Sequence, residues 1–191
     1  MTTKLIIAHR GASGEAPENT ISSISRALAL NSDFIEIDIH LTKEGVPVLS
    51  HDPTLSRITG KKEASHLHKL TLEEIKRVDA GAHFHESFRG EPIPTLEEVL
   101  RLNWGNTGLM IELKPSRNRP EQLVEAVWAV LQNAEKLPSK LILGSFSLAI
   151  VGLLASRKIN SRFGYDVIGI AEKFPMVEAF ADCGIKLLAL W

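Results

Sequence analysis

Phe34-Ile35-Glu36-Ile37-Asp38-Ile39-His40-Leu41 constrains the fold more than any other stretch. Side chains of a β-strand alternate between two faces. Ile35, Ile37, Ile39 and Leu41 make one face; Phe34, Glu36, Asp38 and His40 make the other. The aliphatic face can pack under helices. The opposite face sets two carboxylates about 7 Å apart along the strand. Partly buried like charges at that spacing cost free energy unless something neutralises them. A hard divalent cation, Mg²⁺ or Ca²⁺, would do so. An exposed edge strand with a solvated acidic face is the alternative. The isoleucines and the neighbouring apolar strands argue for burial instead.

A hairpin carries a histidine toward this pair. Thr42-Lys43-Glu44-Gly45 separates the strand from Val46-Pro47-Val48-Leu49-Ser50-His51-Asp52. A Gly-containing turn between two β-type runs predicts a hairpin centred near Glu44 and Gly45, with His51 about level with Asp38. Pro47 limits the returning arm to an edge or an irregular ladder. Two further apolar strands finish in ionisable groups. Lys4–Ala8 leads into His9-Arg10-Gly11, and in Gly108–Pro115 the alternation puts Glu112 and Lys114 on one face. Each cluster alone reads as ordinary surface chemistry. Together they match parallel α/β enzymes, which build their sites at strand C-termini.

The rest of the chain alternates in the same rhythm, which predicts a parallel sheet. Helices are expected over 20–30, capped by Asn19 or Thr20, over 121–134 with Leu123, Val127, Val130 and Ala134 inward, over 147–157, and over Met176–Asp182, stopped by Gly184. Strands are expected over Leu141–Phe146, Arg162–Asp166 and Ile185–Trp191. The stretch 53–94 breaks the rhythm and reads as an insertion into a single domain spanning 1–191, placed at one side of the site mouth. It holds the capping-box pattern Thr71-Leu72-Glu73-Glu74. His83-Phe84-His85 offers metal-ligand types but no further ligands.

His9-Arg10-Gly11, Pro17-Glu18-Asn19-Thr20, Glu36-Ile37-Asp38, His51-Asp52 and Ile111-Glu112-Leu113-Lys114, in this order and spacing, resemble the glycerophosphodiester phosphodiesterase family. Ile93–Leu100 and Ser145-Phe146 are similar to it too. The resemblance implies a TIM-type (β/α) barrel and a divalent cation, Mg²⁺ or Ca²⁺. It also implies hydrolysis of glycerophosphodiesters to glycerol 3-phosphate and an alcohol, with the glycerol 2-hydroxyl attacking to give a cyclic phosphate. On that reading Glu36, Asp38 and Glu112 hold the cation. Arg10 and Lys114 bind the phosphate, and His9 and His51 form the acid–base pair. Glu18 orients Arg10 and Asp52 orients His51, with loop capping as the ordinary alternative for both. One departure stands out: a TIM barrel has eight strands in typically ~250 residues, and this chain supplies about six.

The chain has 191 residues with a formal net charge of −1, which offers nothing to attract nucleic acid or a membrane surface. Cys183 is its single cysteine, so neither an intrachain disulfide nor a Cys-rich metal site is expected. No apolar run is long enough to span a bilayer, and Met1–Lys4 runs directly into the first strand, so a cytoplasmic chain acting on a small-molecule substrate is expected. Two other readings fit the residues. One is a lysophospholipase D or phospholipase-type phosphodiesterase, for which Phe84 and Phe88 would be a sparse apolar rim. The other is a non-catalytic binding protein on the same scaffold.

Overall fold

A computed structural model describes residues 4–60, 65–115, 119–157, 163–171 and 187–190. Strand β2 (Phe34–Leu41) organises it, and all eight of its residues are buried. The sheet runs β1 (Ile7–Ala8), β2, β4 (Gly108–Leu113), β5 (Leu141–Ser145), β6 (Asp166–Ala171) and β7 (Leu187–Leu190). Each of these strands is parallel to its neighbour. Among the described residues β1 and β7 each pair on one side only, so six parallel strands form a barrel wall that does not close. Leu5, Ile6 and Ile7 lie exposed at the β1 end.

Register fixes which side chains meet. Asp38 pairs with Glu112, Glu112 with Gly144 and Gly144 with Ile168, so one row crosses four strands on one face. That inner face holds Glu36, Asp38, Met110, Glu112, Ile168 and Ile170, all buried. The outer face carries the main core, where Ile35, Ile37, Ile39, Leu109, Ile111 and Leu143 meet the covering helices. Helix α1 (Ile21–Ala29) contributes Ile24 and Ala27. Thr20, not Asn19, caps it, accepting from the Ser23 N–H. Helix α5 (Pro120–Asn133) buries Leu123, Val124, Val127 and Leu131, while Val130 and Ala134 pack half-buried at the margin. Helix α6 (Leu148–Arg157) adds Ile150, Val151 and Leu154.

Strand β3 (Pro47–Leu49) returns antiparallel on β2, with Ile39 opposite Leu49. Strand β4 already occupies one side of β2 through Ile39, so β3 lies on the other side, beyond the end of the short β1. The insertion folds over this arm as α2 (Ser56–Thr59), α3 (Leu72–Lys76) and two short 3₁₀ turns, before α4 (Leu96–Leu100). Its Leu55, Leu67, Ile75, Ala80 and Ile93 pack with Val48 of β3 into a small second core. Glu91 anchors it to the start of α1, accepting from the Ser22 N–H at 3.1 Å and the Ser22 hydroxyl at 2.8 Å.

The strand expected over 162–166 is displaced. Its alternating aromatics do not line a sheet; Phe163 and Tyr165 pack on Trp128, with ring centroids 5.1 and 5.8 Å away, and β6 starts at Asp166. The helix expected over Met176–Asp182 and its stop at Gly184 lie outside the described residues.

Candidate active site

Strands β2 and β4 bring Glu36, Asp38 and Glu112 to one point, with an oxygen of each lying within 4.8 Å of the others. The cluster is almost fully buried, and Glu36 Oε1 has no hydrogen-bond partner. Burial, then the charge of Asp38, pushes the Glu36 carboxyl up to about 8. Burial also raises Glu112. The one ammonium among them belongs to Lys114, which pairs with Glu112 and lies 3.1 Å from Asp38 Oδ1. Burial alone would lower the Lys114 pKa; Asp38 and Glu112 raise it. Lys114 and the Arg10 guanidinium, 3.3 Å from Asp38 Oδ2, set two cations against three buried carboxyl groups, so one carboxylate stays unmatched unless it takes a proton or a metal ion. An orphaned, hard, anionic oxygen set fits a divalent cation.

The loop after β1 supplies the next groups. Arg10 and Gly11 both have positive φ, 58° and 81°. A Cβ at position 11 would sit 2.4 Å from Ser23 Oγ, so glycine alone fits the turn. This turn aims the Arg10 backbone N–H at Glu36 Oε2, 3.0 Å away, and sets Arg10 Nε 3.3 Å from Asp38 Oδ2. His9 Nε2 lies 3.9 Å from Glu36 Oε2, with its side chain 40% exposed at the mouth. Burial, then Arg10, lowers the His9 pKa.

The hairpin delivers His51 one residue beyond the expected level, since it is Ser50 whose N–H donates to the Asp38 carbonyl at 3.1 Å. His51 Nδ1 is 2.8 Å from Asp52 Oδ1. Glu18 reaches Arg10 Nη1 at 3.3 Å. Ser145 donates to the Leu113 carbonyl at 2.7 Å, and the Phe146 ring centroid lies 5.6 Å from Lys114 Nζ.

Three more residues hold the site. Asn19 donates to Asp38 Oδ2 at 2.9 Å and accepts from the Asp38 N–H at 3.1 Å, fixing that carboxylate from both ends. Buried His40 donates from Nε2 to the His51 carbonyl at 3.2 Å; burial pushes its pKa down to about 4. Arg57, on α2, reaches both Glu18 and Asp52. Asn19 stood inside a matched motif but read as a helix cap, and His40 showed only as a member of the acidic face. Nothing in sequence spacing marks Arg57. His85 Nδ1 accepts from the Ser87 N–H of its own loop, and among the described residues no metal-ligand group forms around the His83–His85 pair.

The Glycerophosphoryl diester phosphodiesterase family model matches residues 9–176, a span that takes in every one of these groups. The chain belongs to that family. A glycerophosphodiester phosphodiesterase of Bacillus subtilis (strain 168) is 38% identical over 156 residues, covering 75% of this chain and 52% of that protein. One from Caldanaerobacter subterraneus is 51% identical over 98 residues, covering 51% of this chain and 40% of its own length. The chain thus spans about half the length of these curated relatives. Among solved structures, an Oleispira antarctica phosphodiesterase in complex with the product sn-glycerol-3-phosphate aligns with 98% of this chain and 74% of its own, at TM-score 0.84 and 31% identity. Such structures are TIM-barrel enzymes of the glycerophosphodiester phosphodiesterase family, and the open six-stranded wall is the corresponding part of that barrel.

Proposed function

We propose that the chain is a metal-dependent phosphodiesterase that hydrolyses glycerophosphodiesters to glycerol 3-phosphate and an alcohol. The observation that carries this reading is the convergence of Glu36, Asp38 and Glu112 around an orphaned Glu36 oxygen, with two histidines and an arginine at the rim. The product bound in the Oleispira relative gives the substrate class.

Glu36, Asp38 and Glu112 would hold Mg²⁺ or Ca²⁺, which when bound polarises phosphate oxygens and offsets their developing charge. Arg10 presents a planar donor set to the same oxygens, held lightly enough by Asp38 and Glu18 to exchange partners. Lys114 adds a second cation beside them. Asp52 accepts from His51 Nδ1–H and so leaves Nε2 as the proton-transferring atom. Asp52 also stabilises the imidazolium that forms when His51 takes a proton. His9 completes the pair required for displacement at phosphorus, one imidazole accepting the proton of the attacking hydroxyl and the other protonating the leaving oxygen.

Incubating the protein with glycerophosphocholine and following ³¹P NMR tests this. Glycerol 3-phosphate should appear, stop with EDTA and resume with added cation. Phosphocholine as the product, or no turnover under any metal condition, would refute the reading. His9→Ala and His51→Ala should each lower kcat by about 10²-fold or more while cation affinity stays within a few-fold. Wild-type turnover in either variant removes that histidine from the mechanism.

A further inference from the structure

Arg57 sits on a four-residue helix of the insertion, outside the strand ends that carry the site, yet it touches both sides of that site. Its Nη1 and Nη2 grip Glu18 Oε2 and Oε1 at 2.9 and 2.8 Å, and its Nε reaches Asp52 Oδ2 at 2.6 Å. Glu18 in turn meets Arg10, and Asp52 meets His51. The five side chains form one line: Arg10, Glu18, Arg57, Asp52, His51.

We propose that Arg57 is a positioning residue that keeps Arg10 available to the phosphate and His51 correctly turned, by bridging Glu18 and Asp52. This rests on the phosphodiesterase reading above. The distances give the reason. Both Glu18 oxygens are taken by Arg57 at 2.8–2.9 Å, whereas Arg10 Nη1 stays 3.3–3.4 Å from them. Glu18 is thus satisfied elsewhere and holds Arg10 only loosely. Without Arg57, Glu18 would close on Arg10 and withdraw it from an incoming anion. Asp52 is served the same way: burial alone would raise its pKa, but His51 and Arg57 hold it below the ordinary carboxylate range. A fixed, ionised Asp52 keeps His51 in the Nδ1–H tautomer.

Stability does not account for the arrangement. Arg57 is 43% exposed, and pairs of that exposure contribute little to folding. Lysine could not substitute, since a single ammonium cannot serve one carboxylate through a fork and a second through Nε. The two acids also carry the charge of the two arginines, so the line Arg10–Glu18–Arg57–Asp52 is neutral before substrate arrives.

Binding of sn-glycerol 3-phosphate by calorimetry tests the proposal through a reversal of sign. Glu18→Gln alone should weaken binding, because Arg57 and Arg10 lose their shared acceptor. Arg57→Ala should weaken it about tenfold, the worth of one charge-assisted hydrogen bond. Adding Glu18→Gln to Arg57→Ala should recover at least threefold, because the captor of Arg10 is gone. Unchanged affinity in Arg57→Ala, or further loss in the double variant, would overturn the proposal. Should Arg57→Ala not fold, Arg57→Lys takes its place: loss of affinity with recovery by Glu18→Gln supports the proposal, and wild-type affinity refutes it. The ¹⁵N resonances of His51 give a reading independent of ligand: wild type should show Nδ1–H, with Nε2–H gaining population in Arg57→Ala. If wild type neither binds nor makes glycerol 3-phosphate, the phosphodiesterase reading fails, and the tautomer shift alone decides whether Arg57 positions His51.

Discussion

Stripping cations from this protein should make its stability fall as pH rises, the reverse of ordinary acid denaturation. Folding raises the Glu36 carboxyl from 4.5 to about 8, through burial first and the Asp38 charge second. Between those values the folded state keeps a proton that the unfolded state has released, so stability declines with increasing pH. The window in which Glu36 outweighs the opposing histidines is pH 6.5–8. Below 6.5, His40, held down at about 4, works in the opposite direction, because only its unfolded form is protonated there. Above 6.5 the unfolded forms of His40 and of His9, which burial also lowers, lose their protons progressively, so this opposing slope fades to about a tenth of its full value by about pH 7.5. Over those 1.5 pH units Glu36 alone should cost about 2 kcal/mol, at roughly 1.4 kcal/mol per unit. Urea unfolding of EDTA-treated protein at pH 6.5, 7, 7.5 and 8 reads this directly. Glu36→Gln should remove most of the slope and, at pH 8, be the more stable apoprotein. Saturating Mg²⁺ or Ca²⁺ should reverse the trend in wild type, since the cation binds the ionised carboxylates. Apo wild-type stability that is level or rising from pH 6.5 to 8, at constant m-value, would refute the electrostatic account of the cluster.

Other outcomes follow from single contacts. Asn19→Gly keeps the positive φ of 55° at no strain but removes both bonds to Asp38; cation affinity by calorimetry should fall about 10–100-fold, and unchanged affinity would make Asn19 a turn residue only. Gly11→Ala places a methyl 2.4 Å from Ser23 Oγ at a φ of 81°; chemical denaturation should show a loss of about 2 kcal/mol or more, and a neutral result would mean the β1–α1 turn is loose. Arg10→Lys should reduce kcat/KM at least tenfold, because a point charge cannot reproduce the planar fork; wild-type kcat/KM would remove Arg10 from phosphate binding.

The inner face of β2 was legible because alternation is a two-state code: with Ile35, Ile37 and Ile39 committed to helices, Glu36 and Asp38 had nowhere to point but inward. Glu112 followed from the same rule one strand over, and the pairing of Asp38 with Glu112 joined them. The hairpin was legible to within one residue through its Gly45 turn. What escaped was set by tertiary contact. Phe163 and Tyr165 alternate like a strand yet pack on Trp128. Asn19 and Thr20 are both cap formers, and only the reach of Asp38 decides that Asn19 serves the site while Thr20 caps the helix. Arg57 is 39 residues from Glu18, joined to it by the way the insertion folds over the hairpin, and no local pattern encodes such a contact.

Anomalous diffraction from crystals soaked in Mn²⁺, a redox-stable stand-in for Mg²⁺ with the same preference for oxygen, tests the central claim most directly. The account requires one strong peak about 2.0–2.6 Å from an oxygen of each of Glu36, Asp38 and Glu112, absent from Glu36→Gln crystals treated alike. Wild-type crystals with no peak among these three carboxylates, from protein whose glycerol 3-phosphate release still depends on added cation, would contradict it.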